Sequence, residues 1–260
     1  MPLQVDALTR QHLRPEEEEL FQKRAELATI QAILADYELQ LADFRLQLTT
    51  FESQYLRQVG TLYAELDEWN ARIYELKARS NPSWEATQQA EEARKHARQT
   101  HEAAHGKRSK NGNFVPSPEL KNLFRELAKR IHPDLARNAA DRERRNRFMA
   151  EANRAYQTGD IDLLHRILQE FHNGADAVEG DGIGSELIRV IRQISQVKSR
   201  VEAIQQELEA LQISETALLK QQVEEAKKEG RDLLAELASA VRDNIRMAQK
   251  EYQVLAEEMN

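Results

Sequence analysis

The sequence predicts an all-α protein. Three observations carry that expectation. Charged residues make up 31% and hydrophobic ones 40% of the 260 residues, glycine and proline number only 9 and 6, and apolar residues recur at steps of three and four over long stretches. That profile belongs to long helices rather than to a packed sheet. Aromatic residues, at 6%, argue against one large globular core. The absence of cysteine excludes disulfides, thiolate zinc sites and a cysteine nucleophile, and it fits a reducing, cytoplasmic setting. A net charge of −7 makes nucleic acid an unexpected partner for the chain as a whole. No apolar run approaches the roughly 18 residues of a membrane span. The opening residues, MPLQVDALTRQHLRPEEEE, show no apolar core of a signal peptide.

Glycine and proline punctuate the chain in two places. Gly106, Gly112, Pro116 and Pro118 cluster in one polar stretch, and Gly174, Gly180, Gly182 and Gly184 in another. Both read as linkers. The expected organisation is a tail over 1–15, a helical arm over 16–105 with a break near 81–82, and a linker over 106–116. A compact head over 117–171, a glycine-rich linker over 172–184 and a second arm over 185–260 complete it.

The first arm carries a heptad-like seam at Leu27, Ile30, Leu34, Tyr37, Leu41, Phe44, Leu48, Phe51 and Tyr55. Alternate steps of three and four are the a/d pattern of a coiled coil. From Tyr55 the step to Val59 is four again, beside Gly60, which reads as a stutter that locally relaxes the supercoil. The seam resumes at Leu62, Leu66, Trp69, Ile73 and Leu76. Asn81-Pro82 then interrupts the helix, and Ser83 is placed to cap a shorter one running to His105. The second arm repeats the pattern at Leu187, Ile191, Ile194, Val197, Val201, Ile204, Leu208 and Leu211. It weakens from Ser214 to Gly230, then recovers from Leu233 to Met259. As continuous helices the arms would reach roughly 96 and 113 Å. Exposed seams of that length need partners. Matched lengths flanking a short insert favour an antiparallel hairpin of the two arms, and pairing between chains as a homodimer is the other arrangement periodicity allows.

The head has the clearest local signals. Ser117 and Pro118 are a cap followed by a first-turn proline. Leu120, Leu123, Phe124, Leu127 and Ile131 share one helical face, with Lys121, Arg125 and Lys129 as a basic stripe outside it. Pro133 stops this helix. A second helix begins near Asp141, with Phe148, Ala152, Ala155 and Tyr156 on its apolar side. Thr158-Gly159-Asp160 is a break and fresh cap, and Ile161, Leu164, Ile167, Leu168 and Phe171 make a third short amphipathic helix. Between Ser117 and Gly159 ten basic residues face six acidic ones, a net of +4 that leaves −11 on the rest. A basic head on acidic arms steers towards an acidic partner surface.

Two antiparallel helices joined by a loop bearing His132-Pro133-Asp134 resemble the J-domain, the DnaJ-like co-chaperone module. The motif sits in LFRELAKRIHPD, and FMAEANRAY follows at the family's distance with Phe148, Asn153, Ala155 and Tyr156 in the family's places. The resemblance covers the head alone. It implies a head with Leu120, Leu123, Phe124, Leu127, Ile131, Phe148, Ala152, Ala155 and Tyr156 as its core. It also implies docking on a DnaK-type ATPase chaperone and stimulation of its ATP hydrolysis through His132, Pro133 and Asp134, with Lys121, Arg125, Lys129 and Arg130 facing the chaperone. Pro133 fixes the loop backbone, Asp134 is an acceptor suited to a partner's arginine, and His132 offers a ring donor or acceptor. The family's usual first helix is missing before Ser117, Leu135 stands where a lysine is common, and no Gly/Phe-rich or cysteine zinc region follows. The chain therefore resembles the third class of J-proteins, in which other regions bind a client, a scaffold or another copy. The helix beginning at Trp84 is a candidate substitute for the missing one.

Other features read as structural. His101-Glu102-Ala103-Ala104-His105 fits the zinc-protease pattern HExxH, yet its surroundings are polar, Gly106 ends the helix and no third histidine follows closely. No metal, cofactor or enzymatic activity is expected. The run Arg142–Arg147 reads as a solvated helix face rather than a phosphate contact. Trp69 lies on the seam and reads as core, whereas Trp84 lies off it, suited to anchoring the head or a client. The expected function is a J-domain co-chaperone; the alternative is a coiled-coil scaffold whose J-like head binds without stimulating ATPase activity.

Overall fold

The computed structural model describes residues 14–106, 114–173 and 182–259. The tail 1–13 and the middles of both expected linkers lie outside the described residues. The protein is all-α, with nine α-helices among the described residues and no strand there. They are α1 (Pro15–Tyr55), α2 (Thr61–Ser80), α3 (Trp84–Gly106), α4 (Pro118–Ile131), α5 (Ala139–Thr158), α6 (Ile161–Asn173), α7 (Ile183–Gln212), α8 (Glu215–Lys228) and α9 (Leu233–Glu258). A π-helical turn, Leu56–Gly60, links α1 to α2, and a 3-10 turn, Pro133–Leu135, links α4 to α5. None of the described helices is long and apolar enough to cross a membrane.

The helix ends follow from local chemistry. Pro15 opens α1, with Glu16, Glu17 and Glu18 in the first turn, where carboxylates meet the positive end of the helix dipole. Ser117 Oγ accepts from the Leu120 N–H at 3.1 Å, and Pro118 occupies the first turn of α4. Asn138 Oδ1 caps α5 through the Asp141 N–H at 2.8 Å. Gly159 ends α5 in the left-handed conformation, φ 74°, and Asp160 Oδ1 caps α6 through the Leu163 N–H at 2.8 Å. At the expected stutter the π-helical turn takes up the extra residue by widening one turn.

The chain divides into two compact units. The first comprises Met1–Phe44 and Val115–Ala210, and therefore holds the N-terminal part of α1, with α4, α5, α6 and almost all of α7. Phe124, Leu127, Ile131, Ala152, Ala155, Tyr156 and Leu164 are fully enclosed where α4, α5 and α6 meet. Helices α4 and α5 run antiparallel. The Arg145 guanidinium of α5 reaches the Arg130 carbonyl near the end of α4, and Tyr156 near the end of α5 meets Phe124, ring centroids 4.8 Å apart. Phe148 and Phe171 meet edge-on at 5.9 Å, tying α6 to α5. Met149 is also buried; it was not among the expected core positions, and Leu123 is only half-buried.

In this unit α1 is buried on two stripes. Leu27, Leu34 and Leu41 belong to the expected seam, and Ala35, Leu39 and Ala42 form a second one. At about 100° per residue the second stripe lies on the arc between Glu38 and the pair Asp36/Asp43. Helix α7 lies beside α1 in the same direction. Arg24 pairs with Glu186 and Glu38 with Arg200, both offset by 162 residues, while Tyr37 accepts from Gln205 at 2.7 Å.

The second unit comprises Arg45–Phe114 and Leu211–Asn260. Here α3 doubles back along α2. The turn at Asn81–Ser83 is short, and Arg94 binds Glu75 at 2.7 Å and Glu68 at 2.8 Å across the pair. Four small residues line the two helices, Ala64 and Ala71 on α2 with Ala90 and Ala97 on α3, all buried. Helix α9 packs on the other side. Phe51, Val59, Leu234, Ala238, Val241 and Ile245 form one cluster, and Trp69 meets Tyr252 edge-on at 5.8 Å. Contacts advance together along both segments, so α9 runs parallel to α2.

Two expectations are corrected. An antiparallel hairpin of the two arms is not formed: within each unit the N-terminal and C-terminal segments run in the same direction. The antiparallel partner of α2 is α3, the helix that follows the Asn81-Pro82 break. Short loops favour antiparallel neighbours, and this one is far shorter than the connection between the arms. The second arm is also not one continuous helix. It breaks at Ile213–Ser214, where Ser214 caps α8, and at Glu229–Asp232, where Gly230 takes φ 79° and Asp232 caps α9.

Candidate functional site

The turn between α4 and α5 is held by its own backbone and by two neighbours. Pro133 begins the 3-10 turn, in which Leu135 N–H donates to the His132 carbonyl and Ala136 N–H to the Pro133 carbonyl, both at 3.1 Å. Arg145, held by Asp141 at 3.0 Å, donates to the Arg130 carbonyl at 2.8 Å and lies 3.4 Å from that of His132. Gln193 of α7 donates to the Leu135 carbonyl at 3.2 Å. Arg145 thus satisfies carbonyls that Pro133 strands by ending α4.

His132 is 2% exposed, beneath α1. Its Nδ1 accepts from the Asp134 N–H at 3.1 Å, so that nitrogen carries no proton. The proton therefore sits on Nε2, which donates to Glu38 Oε1 at 3.1 Å. The approach of Asp134 Oδ2 to Nδ1, 3.7 Å, is for the same reason no ion pair. Glu38 Oε1 also receives Arg200 Nη2 at 2.8 Å and Nε at 3.0 Å. Burial pushes the Glu38 carboxyl up, but the hydrogen bond from His132 and the Arg200 charge outweigh it, holding the group below its ordinary 4.5.

The basic stripe meets the same helix. Lys121 Nζ pairs with Asp43 Oδ2 at 3.0 Å, and Arg125 Nε with Asp36 Oδ1 at 2.5 Å. Tyr156 Oη donates to Asp43 Oδ1 at 3.0 Å. Burial, with the Asp43 carboxylate beside it, pushes this phenol well up. Lys129 and Arg130 lie exposed at the end of α4, Arg130 beside Glu126 at 3.4 Å. Asp134 is 14% exposed, with Arg142 at 3.6 Å.

The structure thus brings His132, Lys121 and Arg125 onto α1 and leaves Lys129 and Arg130 facing solvent. Asp36, Glu38, Asp43, Arg145 and Arg200 belong to this site and were not read from the sequence. Charged residues flanking a heptad seam are ordinary, so nothing in the pattern marks Glu38 as buried. Arg145 lies in the run read as a solvated face; it is in fact mostly buried against the turn.

Elsewhere, His101, Glu102 and His105 are exposed at the end of α3, with the two rings stacked 4.2 Å apart. They border an open groove of about 680 Å³ together with Glu65, Glu68 and Arg72. Among the described residues no three His, Cys, Asp or Glu side chains are grouped to hold a metal. Trp84 is 74% exposed at the start of α3, whose packing partners lie in the second unit. Comparison with protein-family models, with curated proteins and with solved structures returns no match.

Proposed function

We infer that the protein is a J-domain-type co-chaperone: the head recruits a DnaK-type ATPase chaperone and promotes its ATP hydrolysis. The observation that carries this reading is His132-Pro133-Asp134 at the turn between two antiparallel helices, beside the basic face of α4. A prolyl 3-10 turn pinned by Arg145 and Gln193 presents Asp134 in one pose, ready to accept a partner's arginine. Lys121, Arg125, Lys129 and Arg130 supply the positive field for an acidic docking surface. The arms built on α1, α7 and α9 hold a client, a scaffold protein or a second copy, in a cytoplasmic setting.

The experiment is steady-state ATP hydrolysis by a DnaK-type chaperone with and without the full chain. Stimulation that disappears in His132→Gln supports the reading; no stimulation by any form of the chain removes it. One observation favours a second reading. His132 and half of the basic stripe are already engaged by α1. A head used only to clamp its own arm is a scaffold element, and it predicts no ATPase stimulation.

A further inference from the structure

We propose that residues 36–43 of α1 are an internal ligand of the head, a latch that competes with an acidic partner for the face carrying His132 and the basic stripe. The proposal rests on the co-chaperone reading and names the regulation of that site.

The chemistry is that of a docked acidic helix. Three carboxylates on two turns of α1 meet three groups of the head: Asp36 takes Arg125, Asp43 takes Lys121 and the Tyr156 hydroxyl, and Glu38 takes the His132 ring. Lys121 and Arg125 are one turn apart on α4, and Asp43 and Asp36 are two turns apart on α1, so the pairs zip in opposite chain order. Ala35, Leu39 and Ala42 are buried on the arc of α1 between these carboxylates. An acidic partner recognising lysine, arginine and imidazole on this face would use the same groups and exclude α1.

The contact is also built to open. One of its outer pairs is half in solvent, Arg125 at 44% and Asp36 at 51% exposure, where an ion pair contributes little and is screened by salt, while Lys121 and Asp43 are more enclosed. The tie between His132 and Glu38 is a single hydrogen bond, Nε2 to Oε1 at 3.1 Å. Glu38 keeps Arg200 of α7 as its counter-ion when the head leaves. Lys129 stays exposed at the end of α4 as a landing point for the competitor.

The test uses the full chain and changes α1 only. Asp36→Asn/Asp43→Asn keeps side-chain size while removing both charges and replacing one acceptor oxygen of each carboxylate by a donor. Asp36→Lys, at a half-exposed position, reverses one charge and is the second variant should the double change disturb folding. Opening is read by hydrogen–deuterium exchange in α4, and docking by the concentration giving half-maximal ATPase stimulation of a DnaK-type chaperone. Because apparent affinity scales with the open fraction, the variants are expected to exchange faster in α4 and to stimulate at a concentration roughly five-fold lower or better. Adding His132→Gln to the double variant should abolish that stimulation. Equal, His132-dependent stimulation by wild type and variants overturns the latch and leaves the co-chaperone reading standing. No stimulation by variants whose α4 exchange shows them open overturns the co-chaperone reading, and the latch with it.

Discussion

Glu38 and His132 are 94 residues apart in sequence and 3.1 Å apart in the fold, with both side chains almost wholly withdrawn from water. A carboxylate so placed survives as an anion because every contact on its Oε1 is a donor: one imidazole N–H and two guanidinium N–H groups. Buried charges require such partners.

The first prediction follows from that anion. Glu38 titrates below its ordinary 4.5 in the native protein. A depressed carboxyl contributes stability that is fully present above the unfolded value and is lost as pH falls through the native one. Glu38→Gln should therefore be less stable than wild type at pH 7 by about 1–2 kcal/mol. The gap should narrow as pH drops below 4.5. Urea denaturation followed by far-ultraviolet circular dichroism at several pH values reads it. A gap that does not change with pH would mean that the Glu38 charge contributes nothing.

A second prediction concerns the turn. Arg145 bonds Asp141 with one edge and the Arg130 carbonyl with the other, a fork that an ammonium cannot reproduce. Arg145→Lys should cost about 1–3 kcal/mol. It should also raise hydrogen exchange at Leu135 and Ala136, whose N–H groups close the turn. Unchanged exchange at both amides would show that the turn holds without the Arg145 fork.

How much of this was legible in the sequence differs by element. Both limits of α4, the end of α5 and the start of α6 are readable because Ser117, Pro133, Gly159 and Asp160 act locally, within one turn of themselves; the Asn138 cap of α5 is not among the expected signals. The π-helical turn is readable as a stutter for the same reason. Helix direction is not, because a heptad seam looks the same to a parallel and an antiparallel partner; the Asn81–Ser83 turn marks where α3 starts, and its shortness is what folds α3 back along α2. The second stripe of α1 was hidden since Ala35 and Ala42 are weakly apolar and sit among Asp36, Glu38 and Asp43. Charged side chains there read as solvated until the head supplies Arg125, His132 and Lys121 across from them.

The third prediction isolates one bond of that contact. The Tyr156 ring is fully enclosed and its hydroxyl donates to Asp43. Tyr156→Phe keeps the ring and removes only the donor. It should cost about 1–2 kcal/mol, the upper part of the range reflecting the charged acceptor. Since the phenol is held well above its ordinary value of 10.0, absorbance titration of the native wild type should show its tyrosinate only at higher pH than in the urea-unfolded chain. Identical native and unfolded titration curves would contradict the bond.

The last prediction moves to the second unit. Ala71 is fully enclosed on α2, and Ala90 and Ala97 line α3. Small residues at such positions set how closely two helices approach, and a larger side chain must push them apart or adopt a strained rotamer. Arg94 spans the same pair with bonds to Glu68 and Glu75, geometry that depends on the close approach. Ala71→Leu should therefore cost about 1–3 kcal/mol in spite of added apolar surface. Ala103→Leu, at an exposed position of the same hairpin, should change stability by less than about 0.5 kcal/mol. Thermal unfolding of both variants, with Trp69 fluorescence reporting its contact with Tyr252, distinguishes overpacking from a general effect of leucine. If Ala71→Leu is as stable as Ala103→Leu, α2 and α3 have room between them that the packing described above does not allow.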